Sequence, residues 1–253
     1  MTAPADAPGR EALARATGGT ASRPWILREA RAVLRICLKD LRIEWRSLDN
    51  LPAMFFFALL VMVIFSFGFD FAAFSFQELG PGMLWVAFCF AGVLAFGHSF
   101  ALERQADGLA GMMLAPIDPG SLYLGKFLAN LVTMLIVEAL ILPLCAVLFS
   151  ARIDAVFWPL GLAILVHTIG FAAVGTLFGA MTARTRRGDV LLPIMMMAIS
   201  IPLLISAVRS TAAVFSDQPA LKQAAGAWLT MASIFDVIFM TAAYITFEYV
   251  IEE

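Results

Sequence analysis

The sequence has few charged residues and few of the side chains that catalytic and metal sites commonly use. Only 14% of its 253 residues are charged and 61% are hydrophobic, whereas soluble domains are about a quarter charged. It contains two histidines, and its three cysteines, Cys37, Cys89 and Cys145, form no C-x-x-C motif. The sequence therefore indicates neither a metal site nor a redox motif, and we expect no nucleic-acid partner. A chain this apolar is expected to fold in a lipid bilayer.

Hydropathy divides the chain into a tail and one membrane domain. Residues 1–24 lack an apolar core, so we expect a disordered N-terminal tail rather than a signal peptide. Residues 25–253 are predicted to form an all-α integral membrane domain with six transmembrane helices, each long enough to cross a hydrocarbon core of about 30 Å. The predicted spans are about 51–69, 82–102, 127–149, 156–181, 190–208 and 227–250.

The basic residues lie mostly on one side of these six spans. Fourteen of the 17 Lys and Arg residues fall before the first span or in the second-to-third and fourth-to-fifth connections. Basic residues are enriched in the loops on the cytoplasmic side of a membrane. We therefore expect both termini to be cytoplasmic.

Residues 25–48 have the pattern of an amphipathic helix. Apolar residues recur every three or four positions, and basic residues recur at the same spacing on another face. This pattern is typical of a helix that lies in the membrane interface and contacts anionic lipid headgroups. The helix is predicted either to be an elbow that transmits a partner's movement to the first span or to be a simple topology anchor.

The stretch GSLYLGKF, residues 120–127, matches seven of the eight positions of a phosphate-binding P-loop. The motif needs a strand before it and Ser or Thr after the lysine, to bind Mg²⁺. Here Phe127 follows Lys126, and bulky side chains fill the loop. We therefore predict that the chain has no nucleotide site, that Lys126 lies at headgroup level, and that a partner subunit hydrolyses any ATP required.

The second-to-third connection, residues 103–126, is too polar to span the membrane and contains a short Met-rich apolar patch. Such patches are suited to protein contacts. We expect a short helix here that docks on a partner, which would be the ATPase subunit if ATP is required, with a loop folded back on the bundle as the alternative. The candidate docking residues are Glu103, Asp107, Gly108, Leu109, Met112 and Pro116.

Several segments resemble one family in their order and spacing. They are LPAMFFFALLVMVIFSFGF (51–69), PGMLWVAFCFAGVLAFGHSFALERQADG (81–108) and ISIPLLIS (199–206), together with Pro116 and Lys126 of the connection. The connection looks like that of type 2 ABC export permeases. With the other segments, it resembles the haem exporter protein B (CcmB) family of cytochrome c maturation over about residues 30–250.

This resemblance implies a permease subunit in the bacterial inner membrane, without its own catalytic residues. The implied partners are a cytoplasmic CcmA-like ATPase that binds ATP, a haem-handling CcmC-like protein, a small CcmD-like subunit and, indirectly, the haem chaperone CcmE. A homodimer is also compatible with it, and membrane lipid surrounds the spans. No cofactor is assigned to this chain itself, although the family name implies that haem is exported. The alternative is a permease of another ABC exporter, for lipid, polysaccharide or drug.

Four polar residues lie within predicted spans, where burial of charge is costly and often marks function. His98 and His167 are weak candidates for haem ligands, and packing histidines are the preferred interpretation. Glu138 and Asp236 lie near mid-membrane, where each is expected to face a cavity, to bond a histidine or to be protonated. Glu138 is singled out as a candidate for coupling or for bundle integrity. An intramembrane enzyme is disfavoured because the adjacent His98 and Ser99 would point in different directions on a helix.

Overall fold

The structure, a computed structural model, describes residues 25–47, 50–69, 76–105, 118–149, 156–183 and 188–252, together with Ala151, Ile153 and Thr185. Seven α-helices form within these residues. They are α1 (Trp25–Ser47), α2 (Asn50–Gly68), α3 (Phe76–Gln105), α4 (Pro119–Phe149), α5 (Phe157–Ala183), α6 (Gly188–Phe215) and α7 (Pro219–Glu252). Helices α2 to α7 are long and apolar enough to cross a membrane. The predicted all-α fold with six spans after an N-terminal helix is therefore confirmed.

The structure differs from the sequence-based bounds by eight residues at the starts of α4 and α7, which begin at Pro119 and Pro219 rather than near residues 127 and 227. Asp118 caps α4, because its carboxylate accepts a hydrogen bond from the backbone N–H of Ser121 at 3.0 Å. Aspartate at the cap and proline at the first helical position are a favoured helix start. Because α3 also continues to Gln105, the connection between α3 and α4 is shorter than the expected 103–126.

Helix α5 lies at the centre of the bundle and packs against α3, α4, α6 and α7. Helix α2 packs against α3 and α4, whereas α1 packs mainly along α4. Helices α2 and α7 are the least buried of the six spans. The core therefore consists mainly of α3, α4 and α5.

Interlocking phenylalanine and glycine residues set the register of α3 against α5. The facing pairs are Gly92 with Phe171, Phe96 with Gly175 and Phe100 with Gly179. A Cβ atom added to any of these glycines would overlap the facing ring. Because each pair is separated by the same 79 positions, the two helices run parallel, and their close approach follows the small-residue packing of membrane helices.

Candidate functional site

Helix α1 seats directly on α4 at Gly125. The Cβ and Cγ2 atoms of Ile36 lie 2.7 Å, and the carbonyl oxygen of Val33 lies 3.1 Å, from where a Cβ of residue 125 would be. Only glycine lets the two backbones come this close without displacement. This contact lies at what we call the elbow end of the bundle, where α1 meets the start of α4.

Lys126, the next residue, is buried between α1, α3 and α4. Its side chain is 1% exposed, and its ammonium group lies 3.1 Å from the Asp40 carboxylate of α1 and 5.3 Å from the ring centre of Phe100 on α3. Asp40 also pairs with Lys39 at 2.9 Å. A buried ammonium requires such a counter-charge. Rather than facing lipid headgroups, Lys126 therefore joins three helices.

Further polar contacts reinforce the elbow end. The Ser121 hydroxyl donates to Glu29 of α1 at 2.7 Å, and the Tyr244 hydroxyl of α7 donates to Asp118 at 3.5 Å. At the other end of α1, Asn50 of α2 donates to Glu44 at 2.6 Å. Helix α1 is thus bonded both to the start of α4 and to the start of α2.

Cys37 lies one turn before Asp40 on α1. Burial is the main cause that raises the pKa of its thiol, and the negative charge of Asp40 raises it further. A thiol held protonated is a poor nucleophile. Cys37 therefore acts as a packing residue.

Sequence reasoning missed Asp40 and Gly125 as members of this site. Asp40 interrupts the basic series of α1, and Gly125 and Lys126 fall inside a stretch that the P-loop comparison treated as a loop. Residues 120–126 are helical in the structure and do not form a phosphate-binding loop. In the first turn, the N–H groups of Ser121 and Leu122 donate to the carboxylate and the carbonyl oxygen of Asp118, respectively. Residues 120–126 instead form the surface on which α1 packs.

Most of the predicted docking residues lie outside the residues that the structure describes. These are Asp107, Gly108, Leu109, Met112 and Pro116. Glu103 belongs to the last turn of α3, although its side chain is outside the described set. Helix α4, which follows this segment in the chain, begins at the elbow end, where Ser121 contacts Glu29 of α1.

The two histidines are not brought together. His98 and His167 are on α3 and α5, and the register of the Phe–Gly pairs separates them by about 15 Å along the bundle, at 1.5 Å per residue. Metal–imidazole bonds are about 2 Å long, so these side chains cannot bind one iron atom together. Among the described residues, no group of three His, Cys, Asp or Glu could hold a metal ion.

Both ring nitrogens of His167 have protein partners. Nδ1 lies 2.6 Å from the carbonyl oxygen of Ala163, and Nε2 lies 3.1 Å from the Ser206 hydroxyl. The Ser206 hydroxyl in turn donates to the carbonyl of Trp228 at 2.7 Å. His98 differs, because its buried Nδ1 finds no hydrogen-bond partner in the described part of the chain. His167 therefore ties α5 to α6 and, through Ser206, to α7.

A series of polar contacts joins α4 to α5. The Tyr123 hydroxyl donates to the carbonyl of Ala173 at 3.2 Å, and Asn130 donates to Thr176 at 3.0 Å. Deeper in the membrane, the Thr168 hydroxyl lies 2.9 and 3.0 Å from the two carboxyl oxygens of Glu138. These contacts extend the polar connection from the elbow end to the middle of the bundle.

Glu138 is 2% exposed, and its one hydroxyl neighbour has competing acceptors. The Thr168 hydroxyl also lies 2.8 Å from the carbonyl of Ile164, and a hydroxyl has a single proton to donate. A proton on Glu138, donated to Thr168, would let Thr168 donate to Ile164. Glu138→Gln supplies the same donor, so we expect it to keep the wild-type melting temperature in detergent.

The matched variant is Thr168→Val, which keeps the shape of the side chain but removes its hydroxyl. It leaves Glu138 without this partner and should cost about 1–3 kcal/mol of stability, seen as a lower melting temperature. Equal losses for Glu138→Gln and Thr168→Val would contradict a neutral Glu138.

Asp236 on α7 lies against the backbone of α5. A Cβ at Gly170 would overlap its Oδ1 atom, and this buried oxygen has no hydrogen-bond partner within the described residues. The absence of a side chain at Gly170 therefore makes room for a polar group between two spans. Glu138 and Asp236 lie on different sides of α5 and do not share a hydrogen bond.

Comparison with known proteins relates this chain to one protein family. A family profile described as CcmB protein matches residues 31–250. Heme exporter protein B of Rhodobacter capsulatus is 29% identical over 210 residues, which are 82% of this chain and 95% of the relative. The Haemophilus influenzae protein of the same name is 27% identical, over 69% of this chain and 78% of its own. That of Escherichia coli K12 is 27% identical, over 70% and 80%.

Proposed function

Because the chain belongs to the CcmB protein family, we propose that it is the permease subunit of an ABC transporter complex for c-type cytochrome biogenesis. The observation that carries this proposal is the match over residues 31–250. It extends from within α1 into the last turn of α7, so most of the amphipathic helix and all six spans fall within it. The names of the relatives point to haem as the exported group.

In this proposal, ATP is hydrolysed by a CcmA-like ATPase on the cytoplasmic side of the inner membrane, where both termini also lie. The helical conformation of residues 120–126 favours a separate ATPase. CcmC-like and CcmD-like subunits complete the complex. The complex then either carries haem across the membrane or releases haem-loaded CcmE on the outer side.

The contacts at the elbow end suggest how ATPase motion reaches the spans. The ATPase pushes on the connection between α3 and α4, which leads directly into Pro119. Because Gly125 and Lys126 fix α1 to α4, and Glu44 fixes α1 to Asn50 of α2, these three helices move together. Contacts from Tyr123, Asn130 and Glu138 then carry the displacement to α5, the central helix.

The function is tested by staining c-type cytochromes for haem in cells that lack this gene, with and without a plasmid copy. We expect all haem-stained bands to disappear in the mutant and to return with the plasmid. Normal bands in the mutant, in a strain with no second copy, would reject the proposal. Such a result would favour an exporter of lipid, polysaccharide or drug.

The docking role is tested by Glu103→Ala combined with Asp107→Ala. Removal of both carboxylates should reduce co-purification of the ATPase and its coupled ATP hydrolysis by about tenfold, which corresponds to a loss of about 1.4 kcal/mol of binding free energy. The amount of this chain in the membrane should not change. Unchanged co-purification and unchanged coupled hydrolysis would exclude these residues from the docking surface.

A further inference from the structure

A cavity of about 560 Å³ opens between α1, α4 and the first turn of α2. This volume is in the range of small-molecule binding sites. Much of its lining is aliphatic, supplied by Leu38, Leu41, Leu51, Val132 and Ile136. The cavity therefore presents an apolar surface that is suited to binding a hydrocarbon chain.

Two arginines of α1 add positive charge to the same cavity. Arg42 and Arg46 both line it, and their spacing of four residues places them on one face of the helix. Both are exposed, and neither forms an ion pair with another described residue. Glu44 also lines the cavity, but its carboxylate accepts a hydrogen bond from Asn50. The two guanidinium groups and the one carboxylate thus give the described lining of the cavity a net charge of +1.

The length of α2 places this cavity at the membrane surface. Helix α2 has 19 residues and is about 28 Å long, which is barely enough to cross the hydrocarbon core. Its first residue, Asn50, must therefore lie at the boundary of the core, as must Leu51 beside it. Arg46, one turn earlier in the chain, is then at headgroup level. Trp45, which is 65% exposed, is suited to the same boundary.

We propose that this cavity binds one anionic phospholipid. Its phosphate contacts Arg42 and Arg46, and one acyl chain lies along the aliphatic residues of α4 and α2. The site differs from general attraction of the basic helix to the membrane, because it combines a pair of arginines with a shaped apolar cavity. The bound lipid would fill the space between α1 and α4, beside the contacts of Gly125 and Lys126.

The lining does not favour haem as the occupant, although haem is also an apolar group with negative charges. None of the described residues that line the cavity is His, Cys, Met or Tyr, the side chains that commonly ligate haem iron. The proposal is independent of the transport function, since lipid binding is measured on the full chain without ATP or partner subunits.

The test is native mass spectrometry of the purified full-length chain in detergent with equal amounts of phosphatidylglycerol and phosphatidylcholine. We expect one bound phosphatidylglycerol in preference to phosphatidylcholine. Arg42→Gln with Arg46→Gln should reduce this preference, by about fivefold for each arginine removed. The matched control is Arg31→Gln with Arg35→Gln, which removes two exposed arginines at the same spacing that do not line the cavity. The control should bind lipid as the wild type does.

A second variant tests the acyl-chain part of the site. Ile136→Trp fills the cavity while both arginines remain, and it should lose the bound phosphatidylglycerol. Equal losses in the Arg42/Arg46 variant and the Arg31/Arg35 control would overturn the proposal, because only the total charge of α1 would then matter. Equal binding of both lipids by the wild type would also overturn it. So would displacement of phosphatidylglycerol by stoichiometric haem, since the cavity would then be a haem site.

Discussion

Asp40→Asn should destabilise the protein more than the double variant Asp40→Asn with Lys126→Met. The single change removes the carboxylate that lies 3.1 Å from an ammonium group whose side chain is only 1% exposed. Removing one partner of a buried ion pair costs about 3–5 kcal/mol, because a charge remains where water cannot reach it. The double variant removes that charge as well and keeps an unbranched apolar side chain at position 126.

The measurement is the melting temperature in detergent, together with the amount of protein in the membrane. We expect a large decrease for Asp40→Asn and a clearly smaller one for the double variant. Lys39→Met is the control, because Lys39 also pairs with Asp40 but is 43% exposed, and exposed pairs contribute little. A double variant at least as unstable as Asp40→Asn would show that the pair does not act as a unit.

Gly125→Ala should separate α1 from α4 and so impair function as well as stability. The added methyl group would lie 2.7 Å from Ile36 Cβ and 3.1 Å from the carbonyl oxygen of Val33. Neither atom is the end of a flexible side chain, so α1 must shift as a whole. Overpacking of this kind costs about 1–3 kcal/mol, and we expect Gly125→Val to have the larger effect.

Gly161→Ala is the matched control for this change. Gly161 is also helical, but apart from its two chain neighbours and the adjacent backbone of its own helix, no heavy atom lies within 4 Å of an added Cβ, and alanine is favoured over glycine in helices. We expect its melting temperature to equal or exceed that of the wild type, with full recovery of haem-stained cytochromes in the deletion strain. If Gly125→Ala matched Gly161→Ala in both measurements, close seating of α1 would not be required.

Asp40→Asn and Gly125→Ala both disturb the contact between α1 and the neighbouring residues 125 and 126 of α4. In the proposed mechanism, α1 is useful only if it follows α4 when the connection between α3 and α4 is pushed. A loss of haem staining that exceeds the loss of protein would indicate failed transmission. Parallel losses would indicate that the contact serves folding alone.

The sequence by itself determined the membrane character, the six spans, the separate amphipathic helix and the family resemblance. These features depend on runs and periods of neighbouring residues, because the length of an apolar segment decides whether it crosses a bilayer. The start of α4 is also determined locally, by Asp118 and Pro119, but hydropathy detects only the apolar part of the helix and so predicted a later start.

Only the tertiary structure decided what Lys126 contacts and which glycines are packed. Asp40 and Lys126 are 86 positions apart, and the Phe–Gly pairs of α3 and α5 are separated by 79. Such contacts depend on the register between helices, which is set by the summed packing of whole faces and not by any short pattern. For this reason, a stretch that resembles a phosphate loop in sequence is, in the folded chain, the surface that holds α1.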